Sequence, residues 1–193
     1  DTPSKQAAAA VGQCELMYLY DKLFLEKSHK VAQVLLTRDV FDREDRALNA
    51  RNTFERLMDM GAIPIVNEND TVAIEELEFG DNDTLSAMVA CLVGADGLII
   101  LSDVDGLYAE DPNHNPHAKR IPVVDVIDEH IESIAGGSGT ARGTGGMSTK
   151  IQAAKLCTAQ GIPMVILNGA DPNLLYDVLD GIPTGTLFTP QTH

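Results

Sequence analysis

Two kinds of apolar pattern alternate along the chain. One is the three-to-four spacing of a helix face; the other is a short unbroken run, typical of a strand covered on both sides. Residues 4–27 predict a helix, because Leu16, Tyr20, Leu23 and Phe24 recur at i, i+4, i+7 and i+8. Ala7 to Ala10 add helix propensity to it. Val31 to Leu36 is an apolar run that predicts a buried strand, ending at Thr37. Residues 43–60 predict a second helix with Ala50, Phe54, Leu57 and Met58 on one face, stopped by Gly61 in the left-handed position past its end. Ile63 to Val66 predicts the next strand, with Pro64 placed at its start because it has no N–H to give to a ladder.

The second half repeats this rhythm. Residues 71–79 predict a small hairpin or extended excursion. Gly80-Asp81-Asn82-Asp83 opens a helix through Leu85, Met88, Val89 and Leu92, with Asp81 or Asp83 as its cap. Gly97 to Leu101 is the clearest buried-strand run and ends in Ser102-Asp103. Residues 111–116 form a turn-rich loop and residues 127–134 a short helix. Residues 136–146 hold six glycines in eleven positions and feed a helix over 147–160, stopped by Gly161. Met164 to Leu167 is another buried strand, ending at Asn168-Gly169; a short helix over 172–179 and a last strand over 186–188 follow.

Apolar strands alternating with helices predict an α/β fold, a three-layer αβα sandwich with a mostly parallel sheet. The chain shows no linker, internal repeat or low-complexity tract, so one domain is expected. In such sheets ligands bind beyond the carboxyl ends of the strands. Four strand ends here are polar: Thr37-Arg38-Asp39, Asn67-Glu68-Asn69-Asp70, Ser102-Asp103 and Asn168-Gly169.

Two segments add candidate chemistry. In Gly143-Thr144-Gly145-Gly146-Met147-Ser148-Thr149-Lys150, glycines permit close backbone approach to a phosphate, and the helix start adds N–H donors and a positive dipole end. Lys150 lies against the dipole preference, which a bound anion would explain. The segment lacks the Gly-Lys-Ser/Thr of a Walker A loop, and a surface loop with an exposed lysine is the plainer alternative. The second cluster joins Asn67-Glu68-Asn69-Asp70 to Gly80-Asp81-Asn82-Asp83, short amides and carboxylates that suit a small zwitterion. Its alternatives are helix caps with a solvated turn, or a calcium loop. The loop pattern fails at Ser86 and Leu92, where an EF-hand needs Gly and an acid.

Composition narrows the partners. The 193 residues carry 14 Lys+Arg against 29 Asp+Glu, a formal charge of −15. That argues against nucleic acid and against an anionic membrane surface, but not against small phosphorylated ligands. With 44% hydrophobic residues the chain can build a core. Cys14, Cys91 and Cys157 are too scattered for a disulfide framework or zinc site and read as free thiols of a reducing, cytoplasmic compartment. No apolar run approaches the ~20 residues of a membrane span. Asn82-Asp83-Thr84 matches a glycosylation acceptor by chance. His29, His114, His117, His130 and His193 fall in polar segments and read as surface residues, and Ser148 has no partnered base.

Taken together, Pro64 to Asp70, Gly80 to Ala87, the run Leu101-Ser102-Asp103-Val104-Asp105-Gly106-Leu107-Tyr108 and Gly143 to Lys150 closely resemble the glutamate 5-kinase (gamma-glutamyl kinase) group of the amino acid kinase family. The Ser/Thr-Asp-x-x-Gly-Leu-Tyr stretch is shared across that family; the other three are more specific to the group. The resemblance implies ATP-dependent phosphorylation of the side-chain carboxylate of L-glutamate with Mg²⁺, a step of proline biosynthesis, with proline as feedback inhibitor and a homodimer or homotetramer as the assembly. It implies that Asp70 and Asn82 hold glutamate with Asn67 beside them, and that Asp83 organises catalytic lysines. It further implies that Ser102, Asp103, Thr144, Gly145, Gly146, Met147, Ser148, Thr149 and Lys150 meet the nucleotide, Lys150 also stabilising the transferred phosphoryl group. Another member of the family, or a non-catalytic nucleotide or amino-acid sensor, are the rival readings. In the family a strand with a catalytic lysine, a Gly/Ser loop and a glutamate-binding serine precede the point matching Asp1. The expectation is therefore an amino acid kinase domain without its N-terminal part and without a C-terminal PUA domain, inactive as these 193 residues alone.

Overall fold

The computed structural model describes residues 2–73, 80–110, 114–136 and 146–191. They fall into two compact units, 1–85 and 86–193.

In the first unit, helix α1 (Thr2–Leu25) leads to strand β1 (Lys30–Leu36). A single turn, α2 (Asp39–Asp42), and the longer α3 (Glu44–Asp59) then cross over to β2 (Ala62–Glu68). β1 and β2 pair in parallel from Lys30 opposite Ala62 to Leu36 opposite Glu68. The predicted second helix is α3, within a residue at each end; the single turn α2, which was not expected, precedes it and is set off by Arg43, whose backbone is extended. α3 buries Phe54 and half-buries Ala47, Ala50 and Leu57, whereas Met58, expected on that face, is exposed. Pro64 is the third residue of β2 rather than its start. A strand can seat a proline where the missing N–H falls on an unpaired side.

α1 departs most from expectation. None of its residues is buried. Its half-buried positions are Gln6, Ala9, Gln13, Met17 and Phe24, at helical spacing, whereas Leu16, Tyr20 and Leu23 of the predicted face are exposed. The inward face uses small and amide side chains.

The second unit is built on four strands in the order β3 (Leu98–Ser102), β7 (Met164–Asn168), β8 (Thr186–Phe188), β6 (Val123–Val124). β3–β7 and β6–β8 are parallel; β7–β8 is antiparallel. A small antiparallel hairpin, β4 (Leu107–Tyr108) with β5 (Arg120–Ile121), and the two-residue β6 were not visible as apolar runs. The helices are α4 (Asn82–Val93), which begins in the first unit, α5 (Glu129–Gly136), α6 (Met147–Ala159) and α7 (Leu174–Leu179). The core joins Ala87 and Ala90 of α4, Ile151, Ala153, Ala154 and Cys157 of α6, and Met164, Ile166 and Phe188 of the sheet. Burying an aliphatic or aromatic side chain of this size contributes about 1.5–3 kcal/mol. β3, expected to be the clearest buried strand, buries only Ile100, and Leu101 is 47% exposed. Within this sheet β3 is an edge, and the central β7 takes the continuous burial.

Candidate functional site: polar strand ends and a helix start

In the first unit, the β1–β2 pairing continues one step past the strands, where the Asn69 N–H donates to the Leu36 carbonyl at 2.8 Å. A turn then closes through Val72 N–H and Ala73 N–H, both donating to the Asn69 carbonyl. Asp70 sits exposed inside that turn, and Thr71 Oγ1 donates to Asn69 Oδ1 at 2.6 Å. Asn67 is held further in: its Oδ1 accepts from the Glu68 N–H at 2.9 Å, and its Nδ2 donates to Gln13 Oε1 at 3.0 Å. A cavity of about 430 Å³ opens here between α1 and the strand ends, lined among others by Gln13, Gln33, Leu35, Asn69 and Asp70. The candidate residues Asn67 and Asp70 therefore share one corner of this unit.

The start of α4 carries the other candidate acids. Asp81 is the cap: Oδ1 accepts from the Thr84 N–H at 2.6 Å and Oδ2 from Thr84 Oγ1 at 2.9 Å. With Asp81 occupied, Asn82 (exposed) and Asp83 (half-buried) occupy the first turn, where carboxylates favour the helix dipole. Of the hairpin or extended excursion expected over 71–79, residues 71–73 belong to the turn closed on Asn69 and 74–79 lie outside the described residues.

In the second unit, Ser102 pairs with Asn168 at the carboxyl ends of β3 and β7. The Gly169 N–H donates to the Ser102 carbonyl at 2.7 Å, and Ser102 Oγ donates to Asp103 Oδ1 at 3.0 Å. Two of the four predicted polar strand ends are thus side by side. α6 joins β7 through only four residues, 160–163, so helix and strand run antiparallel. Thirteen helical residues span about 20 Å and five strand residues about 16 Å. The start of α6 is consequently returned to the rim that carries Ser102, Asp103 and Asn168. Gly146 precedes α6 in an extended conformation with no side-chain cap, and Met147 packs on the core. Ser148 is exposed, Thr149 Oγ1 donates to the Gly146 carbonyl at 2.7 Å, and Lys150 is only 6% exposed. A nearly buried lysine in a first turn overturns the alternative of an exposed surface lysine. Thr144 and Gly145 lie outside the described residues.

After Asp103 the chain turns back through Gly106, whose φ is +150° and where a Cβ would sit 2.5 Å from Thr186 Oγ1. Thr186 is fully buried; its hydroxyl accepts from the Leu107 N–H at 2.8 Å and donates to the Ile121 carbonyl at 2.6 Å. That anchors the Ser-Asp-x-x-Gly-Leu-Tyr stretch to β8. Tyr108 donates to the Asp105 carboxylate at 2.9 Å, and this bond, with desolvation and the charge of Asp105, pushes its hydroxyl above its ordinary pKa.

Four of the predicted surface histidines are exposed; His193 lies outside the described residues. The three thiols are free. Sequence reasoning missed Gln6, Gln13 and Gln33. The first two stand seven apart on α1, a spacing that shares a face. No helix among the described residues is long and apolar enough to cross a membrane.

The amino acid kinase family model matches residues 1–168. The chain belongs to the amino acid kinase family. It is 55% identical over 191 residues to glutamate 5-kinase of Clostridium perfringens, covering 97% of this chain and 71% of that protein. It is 57% identical over 189 residues to glutamate 5-kinase of Carboxydothermus hydrogenoformans, covering 98% of this chain and 50% of that protein. The chain thus spans half to seven-tenths of the length of these relatives. Among solved structures it is similar to carbamate kinase of Giardia lamblia (TM-score 0.68, 17% identity, 96% of this chain and 73% of that one). It is also similar to E. coli aspartokinase III (TM-score 0.66, 20% identity, 100% of this chain and 42% of that one). At such identities these likenesses carry the fold alone, and they agree with the expected α/β class.

Proposed function

We propose that this chain is the kinase part of a glutamate 5-kinase, which transfers the γ-phosphoryl group of ATP to the side-chain carboxylate of L-glutamate. The observation that carries this reading is identity above 50% to glutamate 5-kinases across nearly the whole chain.

The chemistry suits the residues. The glutamate carboxylate, with a pKa near ~4.3, is already ionised at neutral pH and needs no general base. What the reaction requires is positioning and fixed positive charge at the transferring group. Asp70 and Asn82, with Asn67, are assigned to glutamate: carboxylates accept from its ammonium group and amides donate to its carboxylate. Ser102, Asp103 and the segment from Thr144 to Lys150 are assigned to the nucleotide. Lys150, held by burial in the first turn of α6, supplies charge to the phosphoryl oxygens, and Asp83 orders lysine charge. Among the described residues no three His, Cys, Asp or Glu side chains gather into a metal cage. Mg²⁺ belongs to the same reading, and on the phosphates it would neutralise their charge. Proline inhibition and homo-oligomers belong to the same reading, as does a place in proline biosynthesis in the cytoplasm.

The test incubates the full-length gene product with ATP, Mg²⁺, L-glutamate and hydroxylamine, and measures glutamyl hydroxamate. Lys150→Ala is expected to lower kcat about 10²–10³-fold, the range for removing one preorganised electrostatic donor. ADP release with another acid, but no hydroxamate from glutamate, would move the assignment to a different kinase of the family. Binding of ATP or proline with no turnover would favour a sensor.

A further inference from the structure

We infer that Gln13, on α1, is a positioning residue for the substrate, acting through Asn67. The inference rests on the assignment of Asn67 to glutamate.

α1 buries no residue fully, and its side-chain hydrogen bonds to the strands and the turn beyond them come from Gln6 and Gln13. Gln6 Nε2 donates to the Ala73 carbonyl at 3.1 Å, just past the turn that presents Asp70. One face of α1, seven residues on, carries Gln13. Its Oε1 accepts from Asn67 Nδ2 at 3.0 Å and its Nε2 donates to Gln33 Oε1 at 3.1 Å. Each end of the Gln13 amide is engaged, so its orientation is set by partners on β1 and β2 together.

The consequence falls on Asn67. Its Oδ1 is taken by the Glu68 N–H, and one of its Nδ2 hydrogens points to Gln13. An asparagine amide is symmetric enough to flip, and flipping would turn an acceptor towards an anionic ligand. Gln13 accepts and the Glu68 N–H donates, so only one orientation satisfies both. The second Nδ2 hydrogen is then left as a donor of fixed direction, the group a substrate carboxylate needs. Gln13 also lines the adjoining cavity beside Asp70.

The experiment is a double-mutant cycle in the full-length enzyme, using Gln13→Met, Asn67→Ala and the pair, read as KM for glutamate, KM for ATP, kcat and Tm. Gln13→Met is expected to raise KM for glutamate about five- to ten-fold, the weight of the one neutral hydrogen bond it removes from Asn67, with KM for ATP unchanged. The pair is expected to be no worse than Asn67→Ala alone, because the two residues act as one unit. Gln33→Met, which cuts only the second bond of Gln13, is expected to shift KM for glutamate in the same direction by less. Additive effects in the pair, or an unchanged KM in Gln13→Met, would overturn the inference while leaving Asn67 as a substrate residue. So would a fall in Tm with kcat and both KM values moving together in both glutamine variants, which would mark a structural role. An unchanged KM for glutamate in Asn67→Ala would remove the assignment of Asn67 itself and the inference with it.

Discussion

The two units use the same ingredients, parallel strands and covering helices, and bury them very differently. In the second, β7 has four consecutive buried residues, and Met164, Ile166 and Leu167 have no exposed surface. In the first, every residue of β2 is half-buried, β1 buries only Leu36, and α1 leaves Val11, Tyr18, Leu19, Leu23 and Leu25 more than half exposed. The unit with the dense core carries the candidate nucleotide residues on a helix start fixed by packing. The other carries the substrate candidates on a turn and a helix start, fixed by hydrogen bonds. Packing fixes position through many weak contacts; hydrogen bonds fix direction through a few.

A glycine in each unit separates the two most sharply. Gly61 and Gly185 share a left-handed conformation, φ +69° and +65°. At Gly61 a Cβ meets nothing within 4 Å, whereas at Gly185 it would lie 2.0 Å from the Ile166 carbonyl oxygen and 2.7 Å from Leu167. Gly61→Ala is expected to cost about 1–2 kcal/mol, the left-handed penalty alone. Gly185→Ala adds a backbone collision to the same penalty and is expected to cost more than about 4 kcal/mol. Chemical denaturation of the two variants checks this; equal losses would break the contrast.

Aliphatic truncation probes the contrast next. Ile166→Ala removes buried methyl groups from the centre of the sheet, with an expected loss of about 2–5 kcal/mol. Leu19→Ala, at a position 52% exposed, is expected to stay within about 0.5 kcal/mol. A loss above 2 kcal/mol at Leu19 would show that the face of α1 is covered in solution.

The same contrast explains what the sequence made legible. Element type was readable because period and length separate helices from strands, and the polar strand ends were readable because parallel strands finish in loops. Depth of burial was not. Leu98 to Leu101 and Met164 to Leu167 are equally apolar, and only the second is central in a described sheet. β4, β5 and β6 were missed because two-residue strands have no period. The face of α1 was misread because Leu16 and Leu23 outweigh two glutamines on any hydrophobic count, while the geometry placed the glutamines inward. Lys150 was legible as a candidate from its glycines and helix start; its burial was not, since burial comes from α6 packing on the core. Gln13 was illegible for the related reason that a hydrogen bond between residues 54 apart leaves no local trace.

The mildest expected effect uses the thiols. Cys14 is exposed on α1, while Cys157 is fully buried in the second unit, where desolvation, with Cys91 close by, pushes it up to about 12 from 9.0. Desolvation likewise raises Cys91, partly offset by its contact with Cys157. A raised folded-state value means that the native protein holds the thiol proton which the unfolded chain releases. The contribution of Cys157 to stability is therefore complete below about pH 9 and is lost as pH climbs towards about 12. Thiolate is the reactive form, so iodoacetamide at pH 8 is expected to label Cys14 first and to leave Cys157 untouched until denaturant is added. Mass spectrometry of the alkylated protein reads each site directly. Equal labelling of Cys14 and Cys157 in native buffer would mean that the core around α6 opens as readily as the surface of α1, and the two units would then differ in appearance but not in stability.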